Sequence, residues 1–234
     1  MPHYTSEAII LSASDFMESD RIVHALTREQ GLVCAIAKGA HKSRRRFPGA
    51  LEPFSEVLMH VHRGRGSGLQ RIEQARLLNA HMPLRQDIHL MGYACVLLEI
   101  AKENLGQQDP APEVYACLKN ALDGLSGSTR WFNLWCTSLM DMLRHIGYGL
   151  RPDSFAPAGM QEGLASSLSV GPEARSFMER APGLTGEVLS RISLSARAKT
   201  EITLFLLDVC SRVTPRPLST AVFLAKLLDL DMKQ

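Results

Sequence analysis

The 234-residue sequence has no apolar run near the roughly 20 residues needed to cross a bilayer. It has no Cys-x-x-Cys pair: Cys34, Cys95, Cys117, Cys136 and Cys210 are irregularly spaced. That pattern argues against a disulfide framework or a clustered zinc site, and for reduced, buried thiols. No basic, apolar and small-residue series opens the chain, so no signal peptide and a cytoplasmic location are expected. There is no Ser-His-Asp elbow, no metal-protease helix and no phosphate loop ending in Gly-Lys-Ser/Thr. Aromatics are scarce at 6%, and the first 86 residues hold only Tyr4, Phe16, Phe47 and Phe54. Net charge is also small, at +2.

Charge distribution says more than its sum. Residues 1–86 carry 12 Lys and Arg against 8 Asp and Glu, while the remainder carries 14 against 16. The excess concentrates in Lys38-Gly39-Ala40-His41-Lys42-Ser43-Arg44-Arg45-Arg46, where five of nine residues are Lys or Arg and none is acidic. Such a cluster suits a phosphate backbone, because each neutralised phosphate releases counterions. A solvated basic loop with no ligand explains the charge alone equally well. Arg63-Gly64-Arg65-Gly66 is a second basic element, and its glycines read first as a hairpin turn.

Short strand-like segments fill the first third. Ala8–Leu11 is apolar; Ile22–Leu26 puts Val23 and Ala25 on one face; Leu32, Cys34 and Ile36 alternate; Val57, Met59 and Val61 alternate again; 69–77 is a weaker fifth. Five strands in such a span predict a small five-stranded Greek-key barrel of the OB type. Phe54 is expected to start the fourth strand. After Pro83 the period becomes helical, predicting helices over 87–105, 113–125, 130–146 (capped by Thr129), 196–213 and 218–230. Strands followed by helices predict an α+β chain, with a barrel over 1–82 and a helical domain over 83–234. A Gly-, Ser- and Pro-rich excursion at about 149–186 interrupts the latter, with a short helix near 173–180.

OB barrels that grip single strands stack bases on aromatic rings. Phe47, just after the arginine run, is the best stacking candidate, so backbone-led, sequence-tolerant binding is expected. His60 and His62 share a strand face without a completing ligand set, and read as a surface pair. Asp15, Glu18 and Asp20 have no visible nucleophile and read as turn or cap residues. Trp135, Leu139 and Leu143 fall at helical spacing, as core first and partner groove second.

Several strings together resemble the RecO family. They are Asp15–Arg21, Thr27–Gly31, Ala37–Ala40, Gly49–Phe54 and Arg63–Gly66, with His145–Gly149 and Arg216–Ser219 later. The match is most specific from Lys38 to Phe54. The resemblance implies an OB barrel followed by a helical domain. A nuclease or ligase-like enzyme using the early acidic cluster is the reading that the missing ligand constellation argues against, so no enzymatic activity and no cofactor are expected. The resemblance also implies binding of single- and double-stranded DNA, strand annealing, and work with RecR and the single-stranded DNA-binding protein to load the RecA recombinase. On that likeness Lys38, Lys42, Arg44, Arg45, Arg46, Phe47, Arg63 and Arg65 would contact DNA. His41 stands where a basic residue is common. The acidic tail of the single-stranded DNA-binding protein would dock on Trp135, Leu139 and Leu143, with Arg212 and Arg216 near its carboxylate. Many relatives carry a four-cysteine zinc module after the Gly-Tyr-Gly region. Residues 151–190 lack cysteine here, with Ser154 and Phe155 near the first ligand's place, so no zinc is expected. An RNA-binding or ribosome-associated OB module is the alternative that the basic loop alone would fit.

Overall fold

The computed structural model describes residues 3–43, 45–64, 69–128, 130–150, 170–184 and 186–231. Its strands are β1 (His3–Phe16), β2 (Asp20–Thr27), β3 (Gly31–Ala37), β4 (Glu56–His62) and β5 (Gln70–Asn79). They close a barrel in the order β1-β2-β3-β5-β4, with β4 returning to β1. All pairings are antiparallel except β3 with β5. This is the OB-type barrel that the strand pattern predicts.

Alternation fills the barrel. Val23 and Ala25 from β2, and Val57, Met59 and Val61 from β4, belong to its core. On β3 the interior set is Val33, Ala35 and Ala37, not the larger Leu32, Cys34 and Ile36 that the sequence suggests. A narrow barrel has room for small side chains at such positions, and it places Cys34 and Ile36 in half-buried sites outside. Strand β1 is longer than its apolar stretch, because a bulge between Ile10 and Ser12 lets one strand pair with both β2 and β4. Phe54 does not start β4. It lies in the preceding turn with φ of 72°, and its side chain is buried.

The helices are α1 (Met82–Gln86), α2 (Ile88–Asn104), α3 (Pro112–Gly127), α4 (Trp131–His145), α5 (Pro172–Arg180), α6 (Gly186–Arg191), α7 (Ala196–Val213) and α8 (Ser219–Asp231). Helix α4 is entered through Arg130 with no side-chain cap, and Thr129 lies outside the described residues. In α2 the fully buried face runs through Ala94, Leu97 and Ala101, while Ile88 at its start is half exposed. Two compact units divide the chain. One joins Met1–Met82 to Leu105–Lys119; the other joins Pro83–Asn104 to the chain from Asn120 onward. The sequence division at 82/83 therefore omits a returning segment.

That segment is part of the barrel unit. Gln108 N–H donates to the Leu32 carbonyl at 2.8 Å, and Gln107 bridges Leu32 in parallel. Gly31 makes the approach possible: its φ is +67°, and a Cβ there would lie 1.8 Å from the Asp109 carbonyl oxygen. The first turns of α3 add a polar anchor. Glu56, nearly buried in β4, accepts from Lys119 Nζ and pairs with His81 Nε2 at 2.8 Å. A buried carboxylate needs such partners.

In the helical unit, α2 packs on α8 and α4, and α7 packs on α4, α5 and α8. Trp135 is fully buried, and its indole N–H donates to the Tyr93 carbonyl at 2.9 Å. Glu99 of α2 accepts four hydrogen bonds from Ser219 and Thr220, which satisfies the first amides of α8.

Candidate nucleic-acid interface

The basic segment connects β3 to β4 at the barrel rim, and it is folded rather than slack. Gly39, at φ +66°, accepts from the amides of Lys42 and Ser43 at 3.1 Å each. Phe47 N–H then donates to the Ser43 carbonyl at 3.3 Å. The loop is also tied to the β1–β2 turn. Asp20 Oδ1 accepts from Gly39 N–H at 2.8 Å, His41 N–H donates to the Ser19 carbonyl at 3.1 Å, and His41 Nε2 meets Asp15 Oδ1 at 3.0 Å. The Asp20 carboxyl is held below its ordinary range, chiefly by the Gly39 N–H, with help from Ser19 and the charges of Lys38 and Lys42. Asp15 and Asp20, at the strand ends on either side of the β1–β2 turn rather than within it, thus brace the basic loop.

The cations of the segment do different jobs. Lys38, Lys42 and Arg45 are exposed. Arg46 is half-buried and engaged: its Nη2 donates to the Lys38 carbonyl at 2.7 Å and its Nε to Ser43 Oγ at 3.0 Å. Its own carbonyl accepts from Ala75 N–H of β5 at 3.0 Å, which pins the loop to the barrel wall. Arg44 and Arg65 lie outside the described residues. Arg63 is exposed beyond β4, stacks over the Tyr4 ring at 5.1 Å and hydrogen-bonds Gln30.

Two expectations about apolar side chains need correction. Phe47 is only 6% exposed, packs in the barrel core and is overlain by the Arg46 guanidinium at 5.0 Å, so it offers no open face to a base. Trp135, Leu139 and Leu143 are each 0% exposed, because their face of α4 is the centre of the helical core. They cannot line an open groove. Arg212 is bound to Asp208 one turn earlier, at 2.8 and 3.1 Å, and Arg216 is exposed. The segment 151–169, with Ser154, Phe155 and half of the expected excursion, lies outside the described residues.

Sequence reasoning missed the Glu56, His81 and Lys119 cluster, whose members are separated by 25 and 63 residues from Glu56. The one hint was an acidic residue, Glu56, opening a strand whose next residues are apolar. No helix of the described residues is long and apolar enough to cross a membrane.

A closed five-stranded OB-type barrel followed by an all-helical unit defines a two-part α+β protein with a braced cationic loop on its barrel. Residues 1–81 match the family described as Recombination protein O N terminal, and residues 85–220 match Recombination protein O C terminal. The chain belongs to the RecO family. A DNA repair protein RecO of Geobacter metallireducens is 30% identical over 250 residues, covering 95% of this chain and 97% of its own. One of Myxococcus xanthus is 35% identical over 159 residues, which is 68% of this chain and 65% of its own. One of Syntrophobacter fumaroxidans is 41% identical over 143 residues, or 61% and 56%. The chain thus spans less than two thirds of the Myxococcus and Syntrophobacter relatives and nearly all of the Geobacter one.

Proposed function

We propose that this chain is a DNA-binding repair protein that holds and anneals strands and turns over no substrate. The observation that carries the reading is the exposed set Lys38, Lys42 and Arg45, presented on a hydrogen-bonded loop at the rim of an OB-type barrel. Cations held in place lose little freedom on meeting phosphates, and their attraction is independent of sequence. Relatives named DNA repair protein RecO support the choice of DNA over RNA. By the same family likeness the proposal extends to both single and double strands, to RecR as partner, and to helping load RecA on strands coated by the single-stranded DNA-binding protein. Exposed Arg216 stays the candidate anchor for that protein's acidic tail, without the buried α4 residues.

The test is annealing of complementary oligonucleotides, with binding measured across salt. Wild-type protein should accelerate annealing without metal or nucleotide. Lys38→Ala, Lys42→Ala and Arg45→Ala combined should slow it, and should flatten the salt slope by roughly 0.7–0.9 for each lost phosphate contact. An unchanged slope, or tighter binding to RNA of the same sequence, would remove this reading.

A further inference from the structure

A cleft of about 480 Å³ opens on the barrel wall beside the basic loop, lined among others by His3, Thr5, Arg46, His60, Glu73 and Gln74. Its volume lies within the roughly 300–1,000 Å³ typical of ligand clefts. Two imidazoles are fixed along it. The His3 ring packs edge-on against His62, with centroids 4.5 Å apart and planes at 61°. His60 is held through Nδ1 by Thr5 Oγ1 at 2.8 Å. On β5 the pairing passes from Ile72, opposite Val61, to Gln74, opposite His60, so Glu73 is the extra residue of a β-bulge. Bulges re-aim side chains, and this one turns a carboxylate and an amide toward the same cleft. Arg46 joins the cleft to the loop, since its backbone is tied to Ala75 just beyond Gln74.

We propose that this cleft takes one unpaired nucleobase of single-stranded DNA, an assignment that rests on the DNA-binding reading above. The chemistry is divided. Arg46 marks the side along which a phosphate backbone would pass after leaving the exposed cations of the loop. Glu73, whose charge is partly offset by Arg71 Nε at 3.9 Å, is an acceptor with no proton to donate, which suits the amino edge of a base and not a phosphate oxygen. A carboxylate accepts from the exocyclic amino group of cytosine, and an amide pairs with the edge of adenine. Imidazole faces supply the stacking that single-strand recognition uses, in a barrel whose Phe47 is buried. A base within a duplex has its edge already paired and its faces already stacked, so the cleft selects single strands.

The experiment compares full-length wild type with the double variant His3→Ala and His60→Ala. Fluorescence polarisation is read on a cytosine-rich single strand, the same strand with abasic positions, and a duplex. The double variant should bind the single strand about tenfold more weakly, in line with the loss of one stacked base. It should bind the duplex as wild type does, and should no longer distinguish the abasic strand. Glu73→Ala should remove any preference for a cytosine strand over a thymine strand, since thymine has no exocyclic amine to donate. Far-UV circular dichroism checks that these exposed substitutions leave the fold unchanged. Equal single-strand affinity in wild type and double variant would overturn the proposal, as would an equal loss on duplex. A wild type that binds no DNA would instead remove the reading on which it rests.

Discussion

At the scale of single residues, the barrel rim shows how acidic side chains can serve a basic surface. Asp20 sits in the field of Lys38 and Lys42, yet its carboxylate is spent on the Gly39 amide. Coulomb's law and positioning then give opposite expectations for its removal. Losing a negative charge beside the loop should strengthen attraction to phosphate, whereas losing the brace should weaken it. Asp20→Ala is expected to weaken DNA binding about fivefold with an unchanged salt slope, because one hydrogen bond to a charged group is lost and no cation is. Tighter binding would show that the brace is immaterial. The pH dependence has a definite sign. The folded carboxyl is depressed, so its contribution is complete above the ordinary carboxylate range and fades only as pH falls through the lowered value. Titration from pH 8 to 5.5 should therefore leave the Asp20 brace intact. The sequence made the cations of this site visible, because unbroken charge needs no partner to be noticed. It hid the division between exposed Lys38, Lys42 and Arg45 and engaged Arg46, which depends on a carbonyl eight residues away.

At the scale of elements, periodicity was informative wherever an element buries one face for several turns. Helix α7 begins and ends where the sequence places it, with Ser195 as an N-cap that accepts from Ala198 N–H at 3.1 Å. Helices α1 and α6, with five and six residues, are too short for a period to register. Helix α8 was legible as a helix, but not the side chain that starts it. Glu99 lies 120 residues before Ser219 and caps it across the packed α2–α8 pair. Burial alone would raise this carboxyl; the Thr220 and Ser219 hydrogen bonds outweigh that and hold it low. Glu99→Ala should lower stability by about 1–2 kcal/mol, the usual worth of a capping group, and should free the α8 amides to exchange. Because the folded carboxyl is depressed, wild type keeps this contribution above the ordinary carboxylate range and loses it as pH falls through the lowered value. Wild type and variant should therefore converge in acid. A constant gap in denaturant midpoint from pH 7 to pH 3 would contradict the assignment.

At the scale of the whole molecule, strands followed by helices was the right reading of fold class, because β1 to β5 and α1 to α8 do not interleave. The composition of the barrel unit was not legible, since 105–119 lies after a helix of the other unit and has no strand pattern. What attaches it is backbone geometry at Gly31 together with the long-range pairing of Glu56 with Lys119. Gly31 has two separable requirements: a left-handed φ of +67°, and the absence of a Cβ that would meet the Asp109 carbonyl at 1.8 Å. Alanine violates both, whereas asparagine tolerates the left-handed region and violates only the second. If the returning segment must sit against β3, Gly31→Asn and Gly31→Ala should both destabilise the chain by about 2–3 kcal/mol, the range for strained backbone and overpacked sites. The Gln108 amide, protected by its bond to the Leu32 carbonyl, should exchange faster in both. A nearly neutral Gly31→Asn beside a destabilised Gly31→Ala would show that only the dihedral matters and that 105–109 can give way. Loss in both variants, with exchange quickened at Gln108, would place the docking of this segment among the forces that hold the barrel together.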